Sequence, residues 1–370
     1  MQRTLADAGA REAEPEDLRD WFFESMARYC QSAAQRAEVA ERRFRIGRQV
    51  IGLRFAGGLP PATLTRAFAH LAMPLDGPAD LTIWLFDGAS APPPPFLLQV
   101  YLSALAHNWL EFADARGRLI RFHEPPVMAV YHPGSDVLSL LDTERRVGFY
   151  FRRTAQQIPY YEVASPLRTM LHGWFRGQGM QFVHGAAVGT AAGGVLLAGK
   201  GGAGKSTSAL ACLGSGLQYA GDDYCLVSPA SEPHVFSLYN TCKLIGDEDL
   251  LRFPGVAGRV WNSRREAGDK PTVFLHEHWP GEVSGGFPLR AILLPRVTGQ
   301  RDTRLRPAPR MEVLTALAPS TMAQLPDSGA SDLRFMKELI QGMPAFFLDV
   351  GTDMGQIPAA IQALLARMAG

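Results

Sequence analysis

The sequence predicts an α/β domain in the C-terminal part of the chain and an α+β domain before it. Three observations carry that expectation. The chain has 370 residues, 46% apolar and 20% charged, a globular composition with enough length for two cores. Strand-like and helix-like segments mix up to about residue 155, whereas after about residue 165 short apolar strands alternate with helices. Finally, the apolar run Gly194–Gly199 leads directly into a glycine-rich turn and a helix. The expected boundaries are residues 1–155 and 165–370.

Taken in order, the first twenty residues are polar and acidic. Asp20 to about Glu41 has helical spacing, with Trp21, Phe22, Met26 and Tyr29 on one side. Gln49–Phe55 reads as a strand, Pro60–Leu71 as a helix stopped before Pro74, and Leu81–Phe86 as a second strand. Pro92–Pro95 reads as a stiff connector. Pro126–His132, Val137–Leu141 and Val147–Arg152 form a meander, separated by Pro133-Gly134-Ser135 and by a polar stretch. Ser165–Gly177 has a serine cap, Pro at the first helical position and a terminal glycine. Gln181–Val188 and Gly194–Gly199 are apolar strands, Ser208–Leu213 a helix and Leu217–Val227 a strand. Phe253 to Gly286 reads as a mobile loop. The tail holds a strand at Leu289–Arg296, a helix from Met311 to Ala318 closed by Pro319, a helix at Leu333–Gln341, a strand at Ala345–Val350 and a helix at Ile357–Met368.

Charge narrows the function. Lys plus Arg is 37 against 36 for Asp plus Glu, a net +1 that argues against a protein built to grip nucleic acid or an anionic membrane. Four scattered cysteines have no zinc-ligand spacing and read as reduced, buried thiols. With no apolar run of membrane length and an acidic N-terminus, a soluble, cytoplasmic chain is expected. Only five of the basic residues are lysine: Lys200, Lys205, Lys243, Lys270 and Lys337.

Two of those lysines lie in Gly199-Lys200-Gly201-Gly202-Ala203-Gly204-Lys205-Ser206-Thr207, which fits G-x-x-x-x-G-K-[ST] at every fixed position. Glycines let successive amides turn inward around a phosphate, Lys205 brings a compact charge to the β and γ oxygens, and Ser206 offers a hydroxyl to Mg²⁺. The expected ligands are ATP and Mg²⁺. Downstream, the strand read at Leu217–Val227 carries two adjacent carboxylates, Asp222 and Asp223, and no N-K-x-D follows. Two carboxylates beside a γ-phosphate suit transfer to a hydroxyl, one near the metal and one accepting the proton. Upstream, His184 lies one strand before the loop.

His184-Gly185, a strand, the glycine-lysine-serine loop and Gly221-Asp222-Asp223 together resemble the catalytic half of the HPr kinase/phosphorylase family, over about His184–Val227. More loosely, the chain from Ser165 onward looks like the HPr-kinase-related serine kinases of bacterial peptide modification, including lasso-peptide tailoring kinases. The resemblance implies a phosphoenolpyruvate-carboxykinase-like P-loop fold with a mixed sheet. It implies Lys205 on phosphate, Ser206 on Mg²⁺, Asp222 as general base, Asp223 as its metal-side neighbour and His184 tuning the pair. Where the HPr enzymes carry a glutamate and Arg-Gly-Leu-Gly, this chain has Ser237–Leu244, and the peptide kinases are the better comparison.

Further candidates are read from the residues. Lys243 is a second phosphate contact or a solvated strand-end lysine, Asn240 a substrate-orienting amide or a turn, and Lys270 a loop lysine that could close over substrate. His276-Glu277-His278 lacks a third metal ligand in sequence, and Arg296 suits an oxyanion or an ion pair. The acceptor expected is a serine of a peptide or small protein, recruited by the N-terminal domain through strand addition. A small-molecule kinase and a slowly hydrolysing ATP-dependent regulator are the alternatives. Sequence leaves self-association open.

Overall fold

The computed structural model describes residues 15–89, 112–120, 122–229, 231–325 and 328–369. The Pro92–Pro95 connector and the first fourteen residues lie outside them. The chain divides into two compact units: Met1–Arg42, Ile51–Pro61 and Gly77–Ile158 form the first, and Arg43–Val50, Ala62–Asp76 and Pro159–Gly370 the second. Among the described residues no helix is long and apolar enough to cross a membrane.

The strands in chain order are β1 (Val39–Ile46), β2 (Gln49–Ala56), β3 (Ala72–Met73), β4 (Leu81–Asp87), β5 (Val127–His132), β6 (Val137–Asp142), β7 (Val147–Arg152), β8 (Gln181–Val183), β9 (Gly185–Thr190), β10 (Gly193–Ala198), β11 (Gln218–Gly221), β12 (Cys225–Ser228), β13 (His234–Phe236), β14 (Thr241–Lys243), β15 (Thr272–Phe274), β16 (Gly286–Val297), β17 (Arg304–Pro307) and β18 (Ala345–Val350).

In the first unit β2, β4, β7, β6 and β5 lie side by side, parallel from β2 to β7 and antiparallel from β7 to β5. Helix α1 (Pro15–Arg36) turns Phe22, Phe23, Met26, Tyr29, Cys30 and Ala33 onto this unit's core, each no more than 5% exposed. Their three- and four-residue spacing is the periodicity read in the sequence, although the helix ends at Arg36 because Val39 opens β1.

The second unit is built on mixed sheets, as the resemblance implies. The strand β16 is twelve residues long and belongs to three ladders. Its first residues pair antiparallel with β13, which continues to β12 and β8. Its remainder lies parallel to β10 and to β18, and β10 continues antiparallel to β9 and β11. Residues alternate sides. Ala186, Val188, Val195, Leu197, Ala291 and Leu293 face a core closed by Ile357, Ile361 and Leu364 of the last helix. Ala187, Leu196, Ala198, Ile292 and Leu294 face another, closed by α4 (Arg310–Gln324) and α5 (Ala330–Gly342). Burial on both faces explains the continuous apolar runs.

Four local expectations change. The helix expected from Ser165 starts at Arg168 (α2, Arg168–Gly177), because Leu167 is left-handed at φ 59°. Pro60–Leu71 is one α-turn, Pro61–Thr65, followed by a 3₁₀ segment, Arg66–Leu71. The helix expected to close at Pro319 runs on to Gln324; a proline's fixed φ is helical, so it forfeits one hydrogen bond without ending the helix. Phe253–Gly286, read as a loop, contains Pro254–Ala257, Leu275–His278 and β15, which pairs with β14.

Candidate functional site

The two strands expected at Gln181–Val188 and Leu217–Val227 are each broken once, and the breaks coincide. At His184 the chain leaves β8 and enters β9; at Asp222–Tyr224 it leaves β11 and enters β12. Since β8 pairs with β12 through Val183 and Cys225, and β9 with β11 through Ala187 and Gly221, both chains cross between ladders side by side. Residues with no ladder partner are thereby set together: His184 from one strand, Asp222 and Asp223 from the other. Asp223 takes a left-handed conformation, φ 70°, to make the crossing. His184 is anchored by its own backbone N–H, which donates to Thr321 Oγ1 on α4 at 3.0 Å.

Beside this seam β10 runs into the glycine-rich turn and a short helix, α3 (Lys205–Leu210). Gly204, at φ 97°, sets the helix start in a conformation closed to most side chains. Lys200, Gly201 and Gly202 are exposed, while Lys205 folds back: it is 7% exposed, and its Nζ donates to the carbonyls of Gly199 at 2.8 Å and Lys200 at 3.2 Å. Burial lowers the proton affinity of its ammonium below the usual lysine range, Asp222 and Asp223 oppose this, and Lys270 adds to it.

The carboxylates differ sharply in surroundings. Asp222 is 3% exposed and accepts from the Ser206 hydroxyl, from the Asp223 N–H at 2.9 Å and from the Cys242 thiol at 3.6 Å. Burial and the neighbouring Asp223 charge raise its pKa above the usual carboxylate value, against the pull of Ser206 and Lys205. Asp223 has one oxygen 2.7 Å from Lys243 Nζ and the other 3.3 Å from His184 Nε2. Burial alone would raise it, but Lys243 and the His184 hydrogen bond hold it well below the ordinary range. A carboxyl raised by burial and its neighbour's charge, beside a neighbour held by a lysine and a histidine hydrogen bond, is the arrangement that separates the roles of two adjacent acids.

Of the residues read from sequence, Ser206, Asp222, Asp223, His184 and Lys243 are thus linked by contacts, and Lys205 acts on the aspartates through its charge. Lys243 spends its ammonium on Asp223 and on Ser165 Oγ, 3.1 Å away. Asp223, expected toward the metal, has both oxygens engaged by Lys243 and His184, whereas Asp222 is the carboxylate joined to Ser206. Asn240 is fully buried, with its amide nitrogen on the carbonyls of Arg66 and Ala67, both at 2.9 Å. Glu277 pairs with Arg66, and Arg296 with Glu312 at 3.6 Å. Among the described residues no group of three or more His, Cys, Asp or Glu side chains could hold a metal ion by itself.

Four contributors were not singled out in the sequence: Thr321, Gln324, Tyr224 and Arg168. Gln324 Nε2 lies 3.4 Å from His184 Nδ1, Tyr224 OH reaches Gln324 Oε1, and Arg168 Nη1 donates to Tyr224 OH at 2.7 Å. The place of Tyr224, directly after the aspartates, was a usable signal. Thr321 and Gln324 lie beyond Pro319, where helix periodicity gave none.

No protein-family model matches the chain, and no curated protein matches it. Among solved structures, the HPr(Ser) kinase/phosphatase from Coxiella burnetii is similar over 51% of this chain and 99% of its own, at 11% identity and a TM-score of 0.29. That degree of likeness leaves the chemistry of the site to its own residues.

Proposed function

We propose that the chain is an ATP- and Mg²⁺-dependent kinase that phosphorylates a hydroxyl, most simply a serine of a peptide or small protein. The observation that carries this reading is Asp222: a carboxylate hydrogen-bonded to Ser206 of the glycine-rich loop and raised in pKa by burial and by the charge of Asp223, which Lys243 holds ionised. The site also fits magnesium. Ser206 and Asp222 offer adjacent hard oxygens, and Mg²⁺ takes one or two protein ligands beside substrate phosphates. Ser206 and Asp222 would hold the ion, which when bound would supply charge neutralisation for the substrate phosphates, while Asp223 stays engaged by Lys243 and His184.

In this mechanism the loop amides hold the β-phosphate, and Lys205 exchanges its Gly199 and Lys200 carbonyls for phosphate oxygens. Asp222 accepts the proton of the acceptor hydroxyl as that oxygen attacks the γ-phosphorus in line; the bond from the γ-phosphorus to the β–γ bridging oxygen breaks, and ADP leaves. Asp223, kept ionised by Lys243 and oriented by His184, sustains the proton affinity of Asp222. The loop amides and Lys205 absorb the charge that develops on the transferred group.

The test is incubation of the full chain with γ-labelled ATP and a serine-containing candidate peptide, read by mass spectrometry for one added phosphate. Asp222→Asn should lower transfer by at least about a hundredfold while ATP still binds. Lys205→Ala should weaken ATP binding in a calorimetric titration. Full turnover by Asp222→Asn would remove Asp222 as base. Label appearing on a free metabolite would favour a small-molecule kinase, and phosphate release with no acceptor a regulatory hydrolase.

A further inference from the structure

The contacts of His184 form one end of a chain of hydrogen bonds whose direction can be deduced. Arg168 has only donors, so Tyr224 OH accepts from its Nη1, at 2.7 Å. The guanidinium also lies over the Tyr224 ring, 5.2 Å from its centroid, and Tyr224 is 2% exposed. The single phenolic hydrogen is then directed at Gln324 Oε1. With its oxygen spent there, the Gln324 amide presents its NH₂ to His184 Nδ1. That nitrogen must accept, so the ring hydrogen belongs on Nε2, where it meets Asp223 Oδ1 at 3.3 Å. The reversed amide leaves the tyrosine hydrogen without this acceptor.

We propose that Arg168, Tyr224 and Gln324 are positioning residues that hold His184 as a fixed donor to Asp223, in the Nε2–H tautomer. His184 is then no proton acceptor toward substrate, because its basic nitrogen is occupied by Gln324. The tautomer stands on these contacts alone; its importance for catalysis rests on the kinase reading above. The three residues come from α2, from the seam and from the last turn of α4, so each element contributes one link.

Heteronuclear NMR of histidine side chains in the isotope-labelled full chain, without nucleotide or metal, tests the tautomer directly, with His184→Asn assigning the signal. Wild type should show His184 as Nε2–H alone. Gln324→Met removes the donor to Nδ1, and Tyr224→Phe releases the amide to turn over; either should populate the Nδ1–H form. Wild-type His184 as Nδ1–H, or unchanged signals in Gln324→Met, would overturn the proposal. Gln324 is only partly buried, so that variant remains informative if Tyr224→Phe fails to fold. In the transfer assay Gln324→Met should lower kcat about 10- to 100-fold with the KM for ATP unchanged. Undiminished kcat would overturn the positioning role. A wild-type chain that transfers no phosphate would overturn the kinase reading and leave the tautomer result standing.

Discussion

Asp222 is placed where a carboxylate costs stability. Its folded pKa is raised by burial and by Asp223, so its contribution to stability is fully present only below the unfolded value of about 4 and is lost as pH rises through the folded value. Asp223 has the opposite sign: with its folded pKa depressed, it contributes above about pH 4 and loses that contribution only in stronger acid. Asp222→Asn should therefore raise the thermal midpoint at neutral pH and flatten its rise between neutrality and pH about 4, followed by circular dichroism. A lower midpoint at neutral pH would contradict the burial argument. Much at this scale was legible in sequence. The lysine scarcity pointed to Lys205 and Lys243, whose ammonium groups sit on the loop carbonyls and on Asp223. The partner of Lys243 was not legible, since nothing in a linear pattern says that a phosphate-binding candidate will meet a carboxylate first.

At the scale of elements, the strands and most helices follow from apolar periodicity, because both faces of the second unit's central sheet are covered. The seam does not follow. An uninterrupted apolar run reads as one strand, and the switch at His184 or Asp222 is a matter of which neighbour the backbone pairs with. The α4 turn past Pro319 was hidden for the opposite reason, a breaker residue in a place where its φ is tolerated. That turn props the seam through Thr321, which is 1% exposed and accepts from the His184 N–H. Thr321→Val keeps the shape but leaves a buried donor unpaired. It should cost about 1–3 kcal/mol in urea unfolding, and a change within error of zero would deny the prop.

Across the whole molecule, chain order and compact units do not coincide. Arg43–Val50 and Ala62–Asp76 belong with the second unit, where Phe68 packs between Phe44 and Tyr239 at centroid distances of 5.2 and 5.3 Å. A fragment starting at Pro159 would lack both phenylalanines and the Ala67 carbonyl that accepts from the Asn240 backbone and side chain. It should aggregate or melt well below the full chain; a soluble fragment whose melting matches the second unit's transition would show these segments to be dispensable. Composition could not reveal this interleaving, because the two segments share no compositional mark: Arg43–Val50 has three arginines in eight residues and Ala62–Asp76 one in fifteen. The arrangement also bears on synthesis. Ala67 leaves the ribosome 173 residues before the amide it will bind, which at 5–20 residues per second is a wait of roughly ten to thirty-five seconds. During that interval Phe44 and Phe68 have no permanent place, and the nascent chain presents to the cell's chaperones a surface that the finished protein never shows.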